Sequence, residues 1–131
     1  MQALRADLDN TVPGSRFRQF ANVVLVPRVR ALVQFRSAAW CARHSGFRLA
    51  STILQARILR SCAAEISPKA TLGPGICLVH TTGIVIGDEV IAGRNLRLYQ
   101  GVTIGNRSGR RQAPGGQPVI GEDGRSMRAR P

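Results

Sequence analysis

The stretch from Ile66 to Gly105 decides the fold, and it reads ISPKATLGPGICLVHTTGIVIGDEVIAGRNLRLYQGVTIG. Its aliphatic residues recur at every sixth position, a period that neither an α-helix nor a flat sheet requires. The ladder consists of Ile66, Leu72, Leu78, Ile84, Val90, Leu96 and Val102, and Ile120 falls on the same count after an irregular stretch. Hexad repeats of this kind are typical of parallel β-helices, in which each repeat holds one short strand and one corner. The alternative is an ordinary meander with accidental spacing.

Three hexads predict a triangular coil of eighteen residues, with coils stacked about 4.8 Å apart by strand pairing. Each edge of the coil then contributes one column of stacked side chains. The predicted columns are Ile66 with Ile84 and Val102, Leu72 with Val90, and Leu78 with Leu96. Strand alternation predicts a second inward position two residues further on. That position is occupied by Ile86, Ala92, Leu98 and Ile104.

Two amphipathic helices are predicted before the ladder. From Pro27 to about Arg43 apolar residues recur with near-helical spacing, and proline suits a first helical turn. After a break at Ser45-Gly46, a second helix is predicted with its apolar residues in a stripe on one face. The stripe is formed by Leu49, Ile53, Leu54, Ile58 and Leu59. We expect this hairpin to pack on the ladder or on another subunit, and the alternative is that its basic surface lies on a membrane.

The predicted fold class is therefore mainly β, a parallel β-helix of hexapeptide repeats preceded by an N-terminal α-helical hairpin. Residues 1–62 are the helical region, and its first twenty residues are interpreted as a frayed polar leader or a short helix. Residues 63–124 are the β-helix domain, interrupted by a loop at 107–118. Residues 125–131 abandon the hexad pattern and are interpreted as an irregular tail.

Composition narrows the classes of partner. The net charge is +12, but the basic residues are scattered among apolar ones and no aromatic RNA-binding pattern is present, so nucleic acid is not expected. Cys41, Cys62 and Cys77 are odd in number and lack metal-ligand spacing, so we expect no metal and a reducing cytoplasm. The longest apolar run before the ladder is too short to span a bilayer.

The stretch from Glu65 to Gly105 resembles the serine acetyltransferase group of hexapeptide-repeat acyltransferases. Two blocks carry most of the similarity. They are His80-Thr81-Thr82-Gly83-Ile84-Val85-Ile86-Gly87 and Tyr99-Gln100-Gly101-Val102-Thr103-Ile104-Gly105. The resemblance implies a left-handed coil, which is an exception to right-handed crossovers. It also implies homotrimers through the solenoid, often paired through their N-terminal helices, with active sites between subunits.

The same resemblance implies transfer of acetyl from acetyl-CoA to a hydroxyl, usually that of L-serine, on the route to cysteine. His80 would be the general base, because a neutral imidazole can take the hydroxyl proton during attack on the thioester. Glu65 stands where the group has an acidic residue, usually Asp, that orients this histidine. Gly105, Asn106 and Arg107 match the start of the acetyl-CoA groove. The structural alternatives are a packing histidine at His80 and a solvated carboxylate at Glu65.

Departures from the group's pattern keep other functions open. Val79 precedes His80 where the group commonly has Asp, and Gly116-Gln117 precede Pro118 where it has an Arg-His pair. These residues normally help to hold the amino acid, so the second hypothesis is an acyltransferase for a sugar or exopolysaccharide precursor. Because the group's solenoid continues for several more coils, the third hypothesis is a C-terminally truncated, inactive remnant that serves only in oligomerisation.

Overall fold

The computed structural model describes residues 2–11, 14, 22, 25–105, 119–122 and 127–128. The helices of this part are α1 (Gln2–Thr11), α2 (Pro27–Arg43), a 3₁₀ helix (Ser45–Phe47) and α3 (Arg48–Cys62). They are followed by two-residue strands. The strands are β1 (Glu65–Ile66), β2 (Thr71–Leu72), β3 (Cys77–Leu78), β4 (Val85–Ile86), β5 (Ile91–Ala92), β6 (Arg97–Leu98), β7 (Thr103–Ile104), β8 (Val119–Ile120) and β9 (Met127–Arg128).

From β1 to β8, consecutive strands enter three sheets in turn. The sheet orders are β1-β4-β7, β2-β5-β8-β9 and β3-β6. Every pair is parallel except β8 with β9, which is antiparallel. A chain that returns to the same sheet at every third strand turns a corner after each hexad. The prediction of parallel strands connected through hexads is therefore confirmed.

The predicted register of the first coil is wrong by two residues. Ile66 pairs with Ile86 and not with Ile84, and Ile86 pairs with Ile104. The first coil thus takes twenty residues and the second takes the predicted eighteen. The other columns follow the same shift, Leu72 with Ala92 and Leu78 with Leu98. Each edge of a coil has two inward positions, and both are filled by aliphatic residues. The six-residue ladder occupies the second position in the first coil (Ile66, Leu72 and Leu78) and the first position in the second coil (Ile84, Val90 and Leu96). The sequence spacing therefore shows no break where the two residues are inserted.

The second inward position was predicted correctly. Ile86, Ala92, Leu98 and Ile104 are all buried. The first inward position holds Ala64, Ala70, Ile76, Ile84, Val90 and Leu96, which are buried as well. Two aliphatic residues per edge fill the narrow interior of the coil without aromatic side chains, and this agrees with the low aromatic content of the chain.

The helices share their core with the first coil. Phe35 of α2 and Ile58 of α3 are buried in the same cluster as Ile66. The Ser51 hydroxyl on α3 donates to the Ala38 carbonyl on α2 at 3.0 Å, which fixes the two helices against each other. The predicted stripe of α3 does not form one buried face. Ile58 is buried, whereas Leu49, Ile53 and Leu59 are exposed.

The first residues form a docked helix, α1, where the sequence favoured a frayed leader or a short helix. Asp7 on α1 is fully buried, and its carboxylate accepts hydrogen bonds from Arg36 Nε at 2.7 Å and from the Gly75 and Ile76 amides at 2.8 and 2.9 Å. Arg36 also donates to the Leu72 carbonyl at 2.7 Å. A single carboxylate thus joins α1, α2 and the corner between β2 and β3.

The three cysteines are free thiols, with Cys41 and Cys62 buried and Cys77 half-buried. Among the described helices, none combines the length and the apolar character that crossing a bilayer requires. No group of three or more His, Cys, Asp or Glu side chains suited to a metal ion occurs in the described part of the chain.

Candidate active site

The candidate base, His80, lies on the corner that follows β3. Its side chain is exposed, in keeping with an irregular first coil. The next three residues turn the chain towards β4, and the Ile84 amide donates to the Thr81 carbonyl at 3.2 Å. Gly83 has a φ of 71°, a left-handed conformation that an L side chain rarely adopts. The two residues that lengthen the first coil fall in this stretch, so they push the histidine outward rather than into the aliphatic core.

Glu65 lies at the start of the first coil, where its segment runs beside the turn that follows His80. The Gly83 amide donates to the Ala63 carbonyl at 2.8 Å, and the Glu65 amide donates to the Ile84 carbonyl at 2.8 Å. The turn after His80 is therefore hydrogen-bonded to the backbone at the start of β1. The Glu65 side chain is exposed, as is that of His80. Within residues 25–105, no hydrogen bond or ion pair joins the two side chains.

The next coil places Tyr99 and Gln100 alongside the histidine corner. The Val79 amide donates to the Leu98 carbonyl at 2.8 Å, and the Gly101 amide donates to the Thr82 carbonyl at 3.0 Å. Gln100 therefore runs beside His80, and both Gln100 and Tyr99 are exposed. The eighteen-residue count would have put Leu98 beside His80. The sequence analysis did not predict that Gln100 lies beside His80, because that neighbour follows only from a first coil of twenty residues.

Of the three residues predicted to bind acetyl-CoA, the structure describes only Gly105. Gly105 directly follows β7 and is exposed. A Cβ built on it would lie 3.9 Å from Gly87 Cα, which is an ordinary contact, so packing within the coil does not require glycine there. Asn106 and Arg107 lie outside the described residues, as do the loop at 107–118 and the Gly116-Gln117 pair. Contacts among the described residues therefore do not explain why position 105 is glycine.

A second polar cluster lies on the corners after β1 and β4. Ser67 Oγ donates to Asp88 at 2.8 Å, and Lys69 Nζ pairs with the same carboxylate at 2.7 Å. The hydrogen bond from Lys69, supported by that from Ser67, holds the pKa of Asp88 below its ordinary value of 3.8. This cluster ties two coils together and is not part of the histidine corner.

The other histidine has a packing role. The His44 ring stacks on Trp40 with centroids 4.1 Å apart, and its Nδ1 lies 2.8 Å from the Trp40 carbonyl. Cys77 pairs in register with Arg97 on the sheet that precedes the His80 corner. In the described part of the chain, His80 is therefore the imidazole that stands on the coil.

The chain matches no family model. It is 36% identical over 75 residues to serine acetyltransferase 1, chloroplastic, of Arabidopsis thaliana, a match that covers 57% of this chain and 23% of that protein. The crystal structure of serine acetyltransferase from Vibrio cholerae superposes with a TM-score of 0.71 at 29% identity, covering 92% of this chain and 46% of that one. Soybean serine acetyltransferase complexed with serine gives a TM-score of 0.74 at 29% identity, covering 91% and 49%.

The chain is similar to serine acetyltransferases. This confirms the resemblance that the His80 and Tyr99 blocks predicted. The chain spans about half the length of the serine acetyltransferase structures it matches, and its aligned part spans about a quarter of the Arabidopsis protein. The structural match includes the helices as well as the coil, because it covers over nine-tenths of the chain.

Proposed function

We propose that the chain acts as a serine O-acetyltransferase, transferring acetyl from acetyl-CoA to the hydroxyl of L-serine on the route to cysteine. The observation that carries the proposal is the match over 91% of the chain to a structure complexed with serine, combined with the exposed position of His80 on a coil corner. In structural terms, we propose that the three sheets form a left-handed parallel β-helix and that α2 and α3 form a helical hairpin.

In this mechanism His80 acts as the general base. The serine hydroxyl oxygen attacks the thioester carbonyl of acetyl-CoA while the imidazole takes the hydroxyl proton. The tetrahedral intermediate collapses, the carbon–sulfur bond breaks, and the leaving thiolate takes the proton from the imidazolium. The products are O-acetylserine and free CoA. Transfer is direct, so the half-buried thiol of Cys77 forms no acyl intermediate.

Glu65 is proposed to orient the imidazole and to stabilise its protonated form during the reaction. The proposal is supported by the backbone bonds that hold the segment of Glu65 against the turn after His80, and by the exposure of both side chains. Contacts of this kind commonly tighten only when substrate is bound. Gly105, Asn106 and Arg107 are proposed to hold acetyl-CoA. At Gly105 a missing side chain allows close approach to the backbone, and the arginine offers positive charge to phosphate.

The assembly is proposed to be a homotrimer or a dimer of trimers. Val85, Ile91 and Val119 are exposed on the outward faces of the coil, where another subunit would cover them. A cytoplasmic location is proposed because the three cysteines are free thiols.

A second candidate acceptor is the hydroxyl of a sugar or exopolysaccharide precursor. It is favoured by Val79, a half-buried apolar residue directly before His80, where a carboxylate would help to bind the amino group of serine. The two acceptors are distinguished by a panel of assays in which L-serine and sugar acceptors are compared at equal concentration. Turnover of sugars but not of L-serine would contradict the proposed substrate while leaving the proposed reaction intact.

The proposed reaction is tested by His80→Ala, with His44→Ala as the matched control. Release of free CoA thiol from acetyl-CoA is measured in the presence of L-serine. We expect His80→Ala to lower kcat by about 10²–10⁴-fold, the usual contribution of a general base, and His44→Ala to leave kcat within about twofold. Equal kcat values for His80→Ala and the parent would contradict the assignment.

A further inference from the structure

The outer face of α3 carries an apolar stripe that the described part of the chain leaves exposed. Leu49 is 75% exposed and Ile53 is 52% exposed, and Ala56 is exposed on the next turn. These residues stand at i, i+4 and i+7, which places them on one side of the helix. Ile58, on the opposite side, is fully buried against the core. The stripe therefore lies on the side of α3 opposite the described core.

Basic side chains flank this stripe. At 100° per residue, Arg48 lies about 100° to one side of Leu49 and Arg57 about 80° to the other. Arg60 continues the stripe at its C-terminal end, and all three arginines are exposed. The sequence contains no Asp or Glu between positions 10 and 64, so no carboxylate of this segment neutralises the helix.

Two exposed aromatic residues lie near the connection between α2 and α3, Trp40 within α2 and Phe47 before α3. Trp40 and Phe47 are 53% and 50% exposed, and their ring centroids are 5.6 Å apart. Phe47 immediately precedes α3.

We propose that this face, formed by Leu49, Ile53 and Ala56 with Arg48, Arg57 and Arg60, docks on an anionic lipid surface. The aliphatic side chains would enter the boundary between headgroups and acyl chains, and the arginines would extend their charged ends to the headgroups. The helix would lie on the membrane and not cross it. The proposal is independent of the acetyltransferase activity.

Charge favours this occupant over a second copy of the chain. Two such faces in contact would bring six arginines together without a carboxylate from either helix, and like charges across an interface oppose association. An anionic surface instead attracts each basic residue near it, and it accepts apolar side chains at the same time. A purely acidic partner would satisfy the arginines but leave the aliphatic stripe in water.

The test is co-sedimentation of the full chain with vesicles of phosphatidylcholine alone and of phosphatidylcholine mixed with phosphatidylglycerol. We expect binding to the anionic vesicles only, and weaker binding at high salt. Leu49→Ser/Ile53→Ser should lower the partition coefficient about tenfold or more, because two exposed aliphatic side chains lose their apolar environment. Arg57→Gln/Arg60→Gln should lower it by a similar factor.

Matched controls keep the interpretation specific to α3. Arg94→Gln/Arg97→Gln removes the same charge from the coil, where both arginines are exposed, and Leu25→Ser removes an aliphatic residue outside α3 that is 76% exposed. Both variants should bind anionic vesicles within about twofold of the parent. The proposal is overturned if the parent fails to bind, or if the α3 variants bind as well as the controls. It is also overturned if light scattering shows that Leu49→Ser/Ile53→Ser instead dissociates an oligomer.

Discussion

A side chain on Gly73 has no room in the stacked coils. Its Cβ would lie 2.5 Å from the carbonyl oxygen of Gly93 on the next coil, and neither backbone can move without disturbing strand pairing. We expect Gly73→Ala to lower the free energy of unfolding by about 1–3 kcal/mol, the usual cost of overpacking. Gly105→Ala is the control, because its Cβ meets only an ordinary contact at 3.9 Å. Urea denaturation followed by circular dichroism measures both variants, and equal stabilities would show that the coils can shift apart.

The proposed role of Glu65 predicts an effect on kcat with little effect on KM. We expect Glu65→Gln to lower kcat by about 10² or more, because the imidazole loses the group that orients it and stabilises its charge. Glu65→Asp should recover most of the activity, since it keeps the carboxylate. Glu89→Gln, an exposed acid on the second coil, is the control. Steady-state assays decide the question, and a rise in KM alone would assign Glu65 to substrate binding instead.

The pKa of Asp88, held low by Lys69 and Ser67, predicts a pH-dependent contribution to stability. A carboxyl whose pKa is lowered on folding stabilises the fold above its unfolded-state value, and this contribution is lost as the pH falls through the folded-state value. Because the Asp88 side chain is 57% exposed, we expect Asp88→Asn to cost less than about 1 kcal/mol at pH 7. In urea titrations from pH 7 to pH 3, the difference from the parent should shrink below pH 3.8. A constant difference would mean that the carboxylate charge is not responsible.

At the residue scale, the sequence was sufficient to find the histidine corner but not its neighbours. The block around His80 singled out this histidine, and its side chain is exposed. The roles of His80 and Glu65 in catalysis stay predictions. Gln100 could not be found, because hexad counting places Leu98 beside His80. A two-residue insertion in a turn leaves no periodic signal when both inward positions on each side of it are aliphatic.

At the level of elements, the docking of α1 rests on one carboxylate. Asp7 accepts from Arg36 and from two backbone amides, and it has no exposed surface. We expect Asp7→Ala to lower the free energy of unfolding by about 3 kcal/mol or more, because Arg36 and the amides are left without their acceptor. Asp9→Ala, an exposed acid on the same helix, should cost less than about 1 kcal/mol.

A double-mutant cycle distinguishes the buried pair from a general effect on helix α1. Arg36→Met and Asp7→Ala are combined, and the three variants are unfolded in urea. If the pair acts as a unit, the double variant should be less destabilised than the sum of the single variants by about 1 kcal/mol or more. Additive effects would show that Asp7 acts mainly through the Gly75 and Ile76 amides.

These elements also show why α1 was interpreted only as a frayed leader or a short helix. The partners of Asp7 lie 29 and 68 residues further along the chain, at Arg36 and Gly75. No local pattern in a polar N-terminal segment encodes such contacts. By contrast, α2 was predicted from Pro27 to Arg43 as observed, because proline at its start and periodic apolar residues are local signals. The stripe of α3 was misjudged because its five apolar residues fall on opposite sides of the helix.

For the whole molecule, the outward faces of the coil predict self-association. Ile91 and Val119 are register partners on one sheet, and both remain exposed at 48% and 39%. A flat parallel sheet with adjacent exposed aliphatic residues gains free energy when another subunit covers it. We expect sedimentation equilibrium to give three times the chain mass of 14.1 kDa, or six times that mass if trimers pair.

An arginine substituted on each exposed surface in turn distinguishes a trimer from a dimer of trimers. Ile91→Arg should break the proposed trimer, because three copies of the substitution would meet in an apolar interface, and the mass should fall to 14.1 kDa. Ile53→Arg, on the outer face of α3, should leave a trimer intact and would halve the mass only if trimers pair through their helices. If the active sites lie between subunits, acetyl transfer by Ile91→Arg should be lost together with assembly, whereas Ile53→Arg should retain it. A monomeric Ile91→Arg variant with full activity would instead place the complete site, including His80 and Glu65, on a single coil.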